Sequence, residues 1–91
     1  MIIGIVIGNA WATKKEDSMN GLKLMVVRRI ESTDDSRLES FVAADCVGAG
    51  IGEMVLVSVG SSARQALSSP NIPVDAAIVG ILDKVEIDHN A

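Results

Sequence analysis

Three groups of residues have side chains or spacing that could do chemistry. Gly48, Gly50 and Gly52 lie in DCVGAGIGE, where clustered glycines could cradle a phosphate. Ser61 and Ser62 follow Gly60 at a strand-to-helix turn, the setting of a serine nucleophile. Cys46 and His89, the only cysteine and the only histidine, could act as nucleophile, base or metal ligand.

None of these completes a reaction site. A dinucleotide-binding turn needs G-x-G-x-x-G between a strand and a helix, so that the helix N-terminus faces the pyrophosphate. Here Glu53 stands at the third-glycine position, and Met54-Val55-Leu56-Val57-Ser58-Val59 continues as a strand. Glu53 would repel a phosphate, and no Gly-Lys-Ser/Thr follows to make a P-loop. The glycines are therefore read as a loop that needs positive φ or close backbone packing. A catalytic serine needs a base, usually histidine. The order Ser62, Asp75 or Asp88, His89 exists, but the chain is too short for the hydrolase fold that uses it. Ser61 or Ser62 is instead expected to cap the helix N-terminus. Cys46 lacks a Cys or His partner at ligand spacing and is expected to be a small buried hydrophobe. Arg64 is expected to pair with a carboxylate or a carbonyl, and Asp34-Asp35 to be solvated. The residues thus predict no catalysis, no cofactor and no metal.

The elements that must position these residues are mostly strands. Residues 2–12, 22–30, 40–47, 54–60 and 76–87 are rich in Ile, Val and Ala, and 61–67 is the one helical turn. In the first strand Gly4 and Gly8 fall on one side of the pleat, which suits tight curvature or close backbone approach. Asn20-Gly21 is a hairpin-type turn signal, and 31–39 is a polar connection. Short strands with one small helix point to a curled barrel rather than an open α/β sheet. Residues 1–91 read as one domain, without repeat or internal boundary.

Composition narrows the partners. The chain of 91 residues is 48% hydrophobic but 2% aromatic, with a mean hydropathy of +0.36. So much aliphatic content on a small domain implies surface hidden between subunits. A formal net charge of −4 with dispersed Lys and Arg argues against nucleic acid. Trp11 and Phe41 are too few to stack single-stranded bases and are assigned to core or interface packing. No apolar run approaches the roughly 20 residues of a membrane span, and the start lacks the basic region of a signal peptide. The lone cysteine fits a reducing cytosol. Small residues gather at 48–52, 60–66 and the last strand, where backbones of neighbouring subunits could approach.

DCVGAGIGEMVLVSVGSSARQA (45–66), followed by PVDAAIVGILDKV (73–85), resembles the EutN/CcmL family, the pentameric vertex proteins of bacterial microcompartment shells. MIIGIVIGNAWATKK and GLKLMVV resemble that family's first two strands. The resemblance implies a mostly β fold, a five-stranded OB-like β-barrel with one short helix, assembled as a cyclic pentamer, with a hexamer left open. It implies a structural protein, not an enzyme, in the bacterial cytoplasm, with itself and hexagonal shell proteins as partners. Gly48, Ala49, Gly50, Gly52 and Glu53, with Gly60, Ser61, Ser62, Ala63 and Arg64, are the residues expected at the subunit contact or axial pore. Glu53 and Arg64 are candidates for an ion pair between subunits. The alternative is an OB-like module that binds nucleic acid or a small ligand.

Overall fold

Each aliphatic segment marked in the sequence forms a strand, and the strands close on themselves. The computed structural model describes residues 1–30, 40–68 and 71–88. Its elements are β1 (Ile2–Ala10), a single 3-10 turn (Asp17–Met19) that the sequence reading did not mark, β2 (Leu24–Arg29), β3 (Ser40–Asp45), β4 (Met54–Val59), α1 (Ser61–Ala66) and β5 (Ala76–Ile81). They form a closed barrel in the order β1-β2-β3-β5-β4. Pairing is antiparallel throughout except between β3 and β5, which run parallel and meet at only Ala44↔Ala77 and Asp45↔Ile78.

Alternation along the strands sends one set of side chains inward. Val6, Met25, Val27, Ala43, Val55, Val57 and Ile78 fill the interior, with Ile2 and Phe41 partly buried against them. So narrow a barrel has room for Val and Ala rather than for rings, which accounts for the near absence of aromatics. Gly4 is required by the same crowding. A Cβ there would lie 2.4 Å from Val27 Cγ1 and 2.9 Å from the Arg28 carbonyl oxygen. Gly8 has no such neighbour; a bulge between Val6 and Gly8 instead leaves Ile7 unpaired and facing outward. A second cluster, Ala44, Ile72 and Val74 with Met19, Leu22, Leu24 and Leu67, packs outside the barrel.

The element ends differ from expectation for local reasons. β1 stops at Ala10 rather than residue 12, and Trp11 is 87% exposed, so it is no core residue. β5 stops at Ile81 rather than 87, because its partner β4 begins at Met54, whose carbonyl accepts the last bond, from the Leu82 N–H at 2.8 Å. Asn20-Gly21 does turn the chain, as a type II turn: Asn20 lies at φ −62, ψ 134, Gly21 at φ 85, and the Leu22 N–H donates to the Met19 carbonyl at 3.1 Å. The 31–39 connection, with Asp34-Asp35, lies outside the described residues.

Candidate functional site

The glycine cluster is folded around a carboxylate. Asp45 ends β3, and its side chain is 1% exposed. Its Oδ1 accepts from the Val47 and Gly48 N–H groups at 3.0 and 3.1 Å, and Oδ2 from the Ala49 N–H at 2.9 Å. Lys23 Nζ lies 3.6 Å from Oδ2 and donates to the Ala49 carbonyl at 3.1 Å. Gly48 and Gly52 take positive φ, +79 and +92, where a side chain would be strained. These bonds press Ala49, 1% exposed, into the barrel core, so the loop stoppers that end of the barrel.

The far half of the loop is tied in the same way. Glu53 Oε1 accepts from the Gly50 N–H at 2.6 Å. The Gly52 N–H donates to the Val6 carbonyl at 2.8 Å, and the Val6 N–H to the Glu53 carbonyl at 3.0 Å. The amides of residues 47 to 50 that could have held a phosphate are thus occupied by the chain's own carboxylates. This loop is a rigid structural piece and not an anion cradle.

At the other end of β4, the serines do not cap the helix. The capping position falls on Gly60, at φ 67 and ψ −141, with no side-chain bond to the first turn. That backbone region suits glycine alone among common residues, and it is held by the Gly60 N–H donating to the Asp75 carbonyl at 2.8 Å. Ser61 and Ser62 come one and two places too late to cap and are exposed. Ala63 is buried, and α1 packs on β4 and β5. Beneath that wall the paired residues Ser58 and Ala77 are also buried. Ser58 Oγ makes no hydrogen bond to a described group.

The two candidate segments therefore sit at opposite ends of the barrel, separated by β4, roughly 20 Å at the ordinary strand rise. Glu53 and Arg64 are not paired within one chain, and among the described residues Arg64 has no carboxylate or carbonyl partner. Cys46 corrects its expectation: it is exposed, not buried. Its backbone N–H is tied to the Ile78 carbonyl. Partial desolvation, and then the charge of Asp45, raise the pKa of its thiol. His89 lies outside the described residues. Among the described residues no group of His, Cys, Asp and Glu could hold a metal, and no helix is long and apolar enough to cross a membrane. Sequence reasoning missed Asp45 and Lys23; the signal was an aspartate just before a glycine cluster, a place where its side chain can bind the following amides.

Residues 1–83 match the family described as ethanolamine utilisation protein EutN/carboxysome. The chain is 46% identical over 86 residues to the microcompartment shell vertex protein GrpN of Rhodospirillum rubrum, covering 94% of this chain and 97% of that protein. It is 44% identical over 89 residues to the carboxysome shell vertex protein CcmL of Gloeobacter violaceus, covering 98% and 89%. Among solved structures, the GrpN pentameric shell protein superposes with a TM-score of 0.82 over 97% of this chain and 100% of that one. CcmL from Gloeobacter violaceus gives 0.84 over 97% and 91%.

Proposed function

The chain belongs to the EutN/CcmL family, and from that premise we propose that it is a shell vertex protein whose copies close into a pentameric ring. The observation that carries this reading is its similarity along nearly the whole barrel to a shell protein described as pentameric. The protein is structural, not an enzyme, and it acts in the bacterial cytoplasm as part of a microcompartment shell.

Geometry supplies the reason for such a ring. A flat sheet of hexagonal units cannot enclose a volume; pentagonal units supply the missing curvature. Hexagonal shell proteins are accordingly the partners at the ring's rim. A ring is built from heterologous contacts, one patch of each subunit meeting a different patch of the next. Residues 1–91 act here as one vertex domain.

Gly48, Ala49, Gly50, Gly52 and Glu53 form one part of the subunit contact or axial pore, and Gly60, Ser61, Ser62, Ala63 and Arg64 the other. Ala49 and Ala63 take part through backbone, since their methyls are buried in their own chain. Glu53 and Arg64, kept apart within a chain, are available to pair between neighbours. Native mass spectrometry on the purified protein tests the ring. A dominant five-subunit species agrees with the reading, and a monomer at every concentration refutes it. Exchange of Glu53→Arg and Arg64→Glu tests the pair: the double variant should form rings better than either single one.

A further inference from the structure

The join between β3 and β5 covers only one end of β3. The Asp45 N–H is aimed at β2, where it donates to the Lys23 carbonyl at 2.9 Å. In an antiparallel ladder the direction of these groups alternates, and the β2–β3 register runs unbroken from Leu24↔Ala44 to Arg28↔Ser40. Phe41 and Ala43 therefore also point their backbone groups at β2, whereas Val42 and Ala44 point theirs the other way. Ala44 meets Ala77 of β5 there. Val42 meets nothing: β5 begins at Ala76, and among the described residues neither the N–H nor the carbonyl of Val42 has a hydrogen-bond partner. With its side chain 49% exposed, Val42 marks a short open edge in an otherwise closed barrel.

A hollow lies on each face of this gap, and Val42 and Asp75 line both. The inner one, about 250 Å³ at the barrel mouth, is completed by Ile2, Phe41, Val59 and Ala76, with Arg29. The outer one, about 190 Å³, is completed by Met19, Leu24, Ala44, Pro73 and Val74. Successive residues of a strand point to opposite faces, so a strand laid along Val42 sends one side chain into each hollow. Both hollows are mainly apolar, and Arg29 and Asp75 offset one another in charge, so they suit uncharged, apolar side chains.

We infer that the gap binds an extended peptide segment of another protein, which adds a short strand beside Val42 and seats two consecutive aliphatic residues in the hollows. An open edge recognises backbone N–H and C=O groups, hence a peptide, while the hollows select its side chains. Residues 31–39, 69–70 and 89–91, which lie outside the described residues, hold no two consecutive aliphatic residues. The tail 84–88, KVEID, alternates apolar with charged and would set a charge in one hollow. The occupant therefore comes from a different protein, and its binding goes beyond the vertex reading without depending on it.

The test presents the wild-type protein with a phage-displayed library of random octapeptides and then with a synthetic copy of the selected sequence. Selected peptides should carry adjacent Val, Ile or Leu. Amide hydrogen exchange, followed by NMR, reads the edge itself. The Val42 amide should exchange much faster than those of Phe41 and Ala43 in the free protein, and become protected when the peptide is added. Val42→Pro removes the free donor without breaking a barrel bond, a place where an edge strand tolerates proline. It should keep the circular dichroism of wild type and lose peptide affinity by about tenfold or more. Val42→Thr, which keeps the N–H, should bind as wild type does. A Val42 amide already protected in the free protein overturns the inference, because another part of the chain or a neighbouring copy would then fill the edge. So does a library that yields no binder, or binding that Val42→Pro leaves unchanged. The exchange readout decides even if Val42→Pro does not fold.

Discussion

Replacing Asp45 is the sharpest test of the reading that a buried carboxylate builds the loop. Asp45→Ala removes the acceptor of three backbone amides at once. Val47 and Gly48 are exposed, so water replaces the carboxylate there, at a cost of about 0.5 kcal/mol each. The Ala49 amide adjoins a buried methyl, and leaving it unpaired costs about 1–3 kcal/mol. Lys23 is 54% exposed, which limits its ion pair with Asp45 to less than about 1 kcal/mol. The sum is roughly 3 kcal/mol, and for a domain of this size each kcal/mol lowers Tm by about 4–8 °C. Asp45→Asn keeps one carbonyl oxygen and should cost about half as much, and Lys23→Met less than about 1 kcal/mol. Thermal melts at one fixed protomer concentration read the series, since assembly shifts apparent stability. A Tm for Asp45→Ala within about 4 °C of wild type would refute the reasoning. So would a Lys23→Met variant as damaged as Asp45→Ala, because the ion pair and not the amides would then hold the loop.

Other substitutions follow from the same geometry. Gly4→Ala drives a methyl into Val27 and the Arg28 carbonyl and should cost about 1–3 kcal/mol in a denaturant melt. Gly60→Ala meets no atom but must hold φ near +67, for a loss of about 1–3 kcal/mol read the same way. Ser61→Ala and Ser62→Ala, which remove no cap, should each stay within about 0.5 kcal/mol of wild type. Cys46 should be open to maleimide yet slower than a free thiol at pH 7. Its raised pKa leaves less thiolate there, and the rate should climb as pH rises; Asp45→Asn should speed it.

Most of the architecture was legible because it follows from patterns that act locally. Aliphatic runs between turn residues marked all the strands, and the wealth of small residues with few aromatics matched a narrow barrel. The errors lie where the answer depends on what comes to rest beside a residue. Gly60 takes the capping place because its backbone angles admit no side chain, and those angles are set by Asp75, fifteen residues on. β5 is cut short by where β4 starts, and Cys46 turns outward because β3 has just ended. Glu53 was read as a phosphate-repelling residue; it also satisfies an amide of its own loop, which no spacing rule foretold.

The parallel contact between β3 and β5 has a kinetic meaning. β1, β2 and β3 are joined as consecutive antiparallel neighbours, and β4 attaches to β1 and β5 by long antiparallel ladders. Only two residue pairs fasten β3 to β5, like the clasp on a bracelet. A link so short gains little until everything else is in place, since the loop-closure entropy falls due before its few contacts can repay it. The clasp should therefore shut after the folding barrier has been crossed. Weakening it at Ala44 or Ala77 would then hasten unfolding while leaving the folding rate nearly untouched. The lifetime of a lone barrel, rather than how quickly it forms, is governed by its narrowest join.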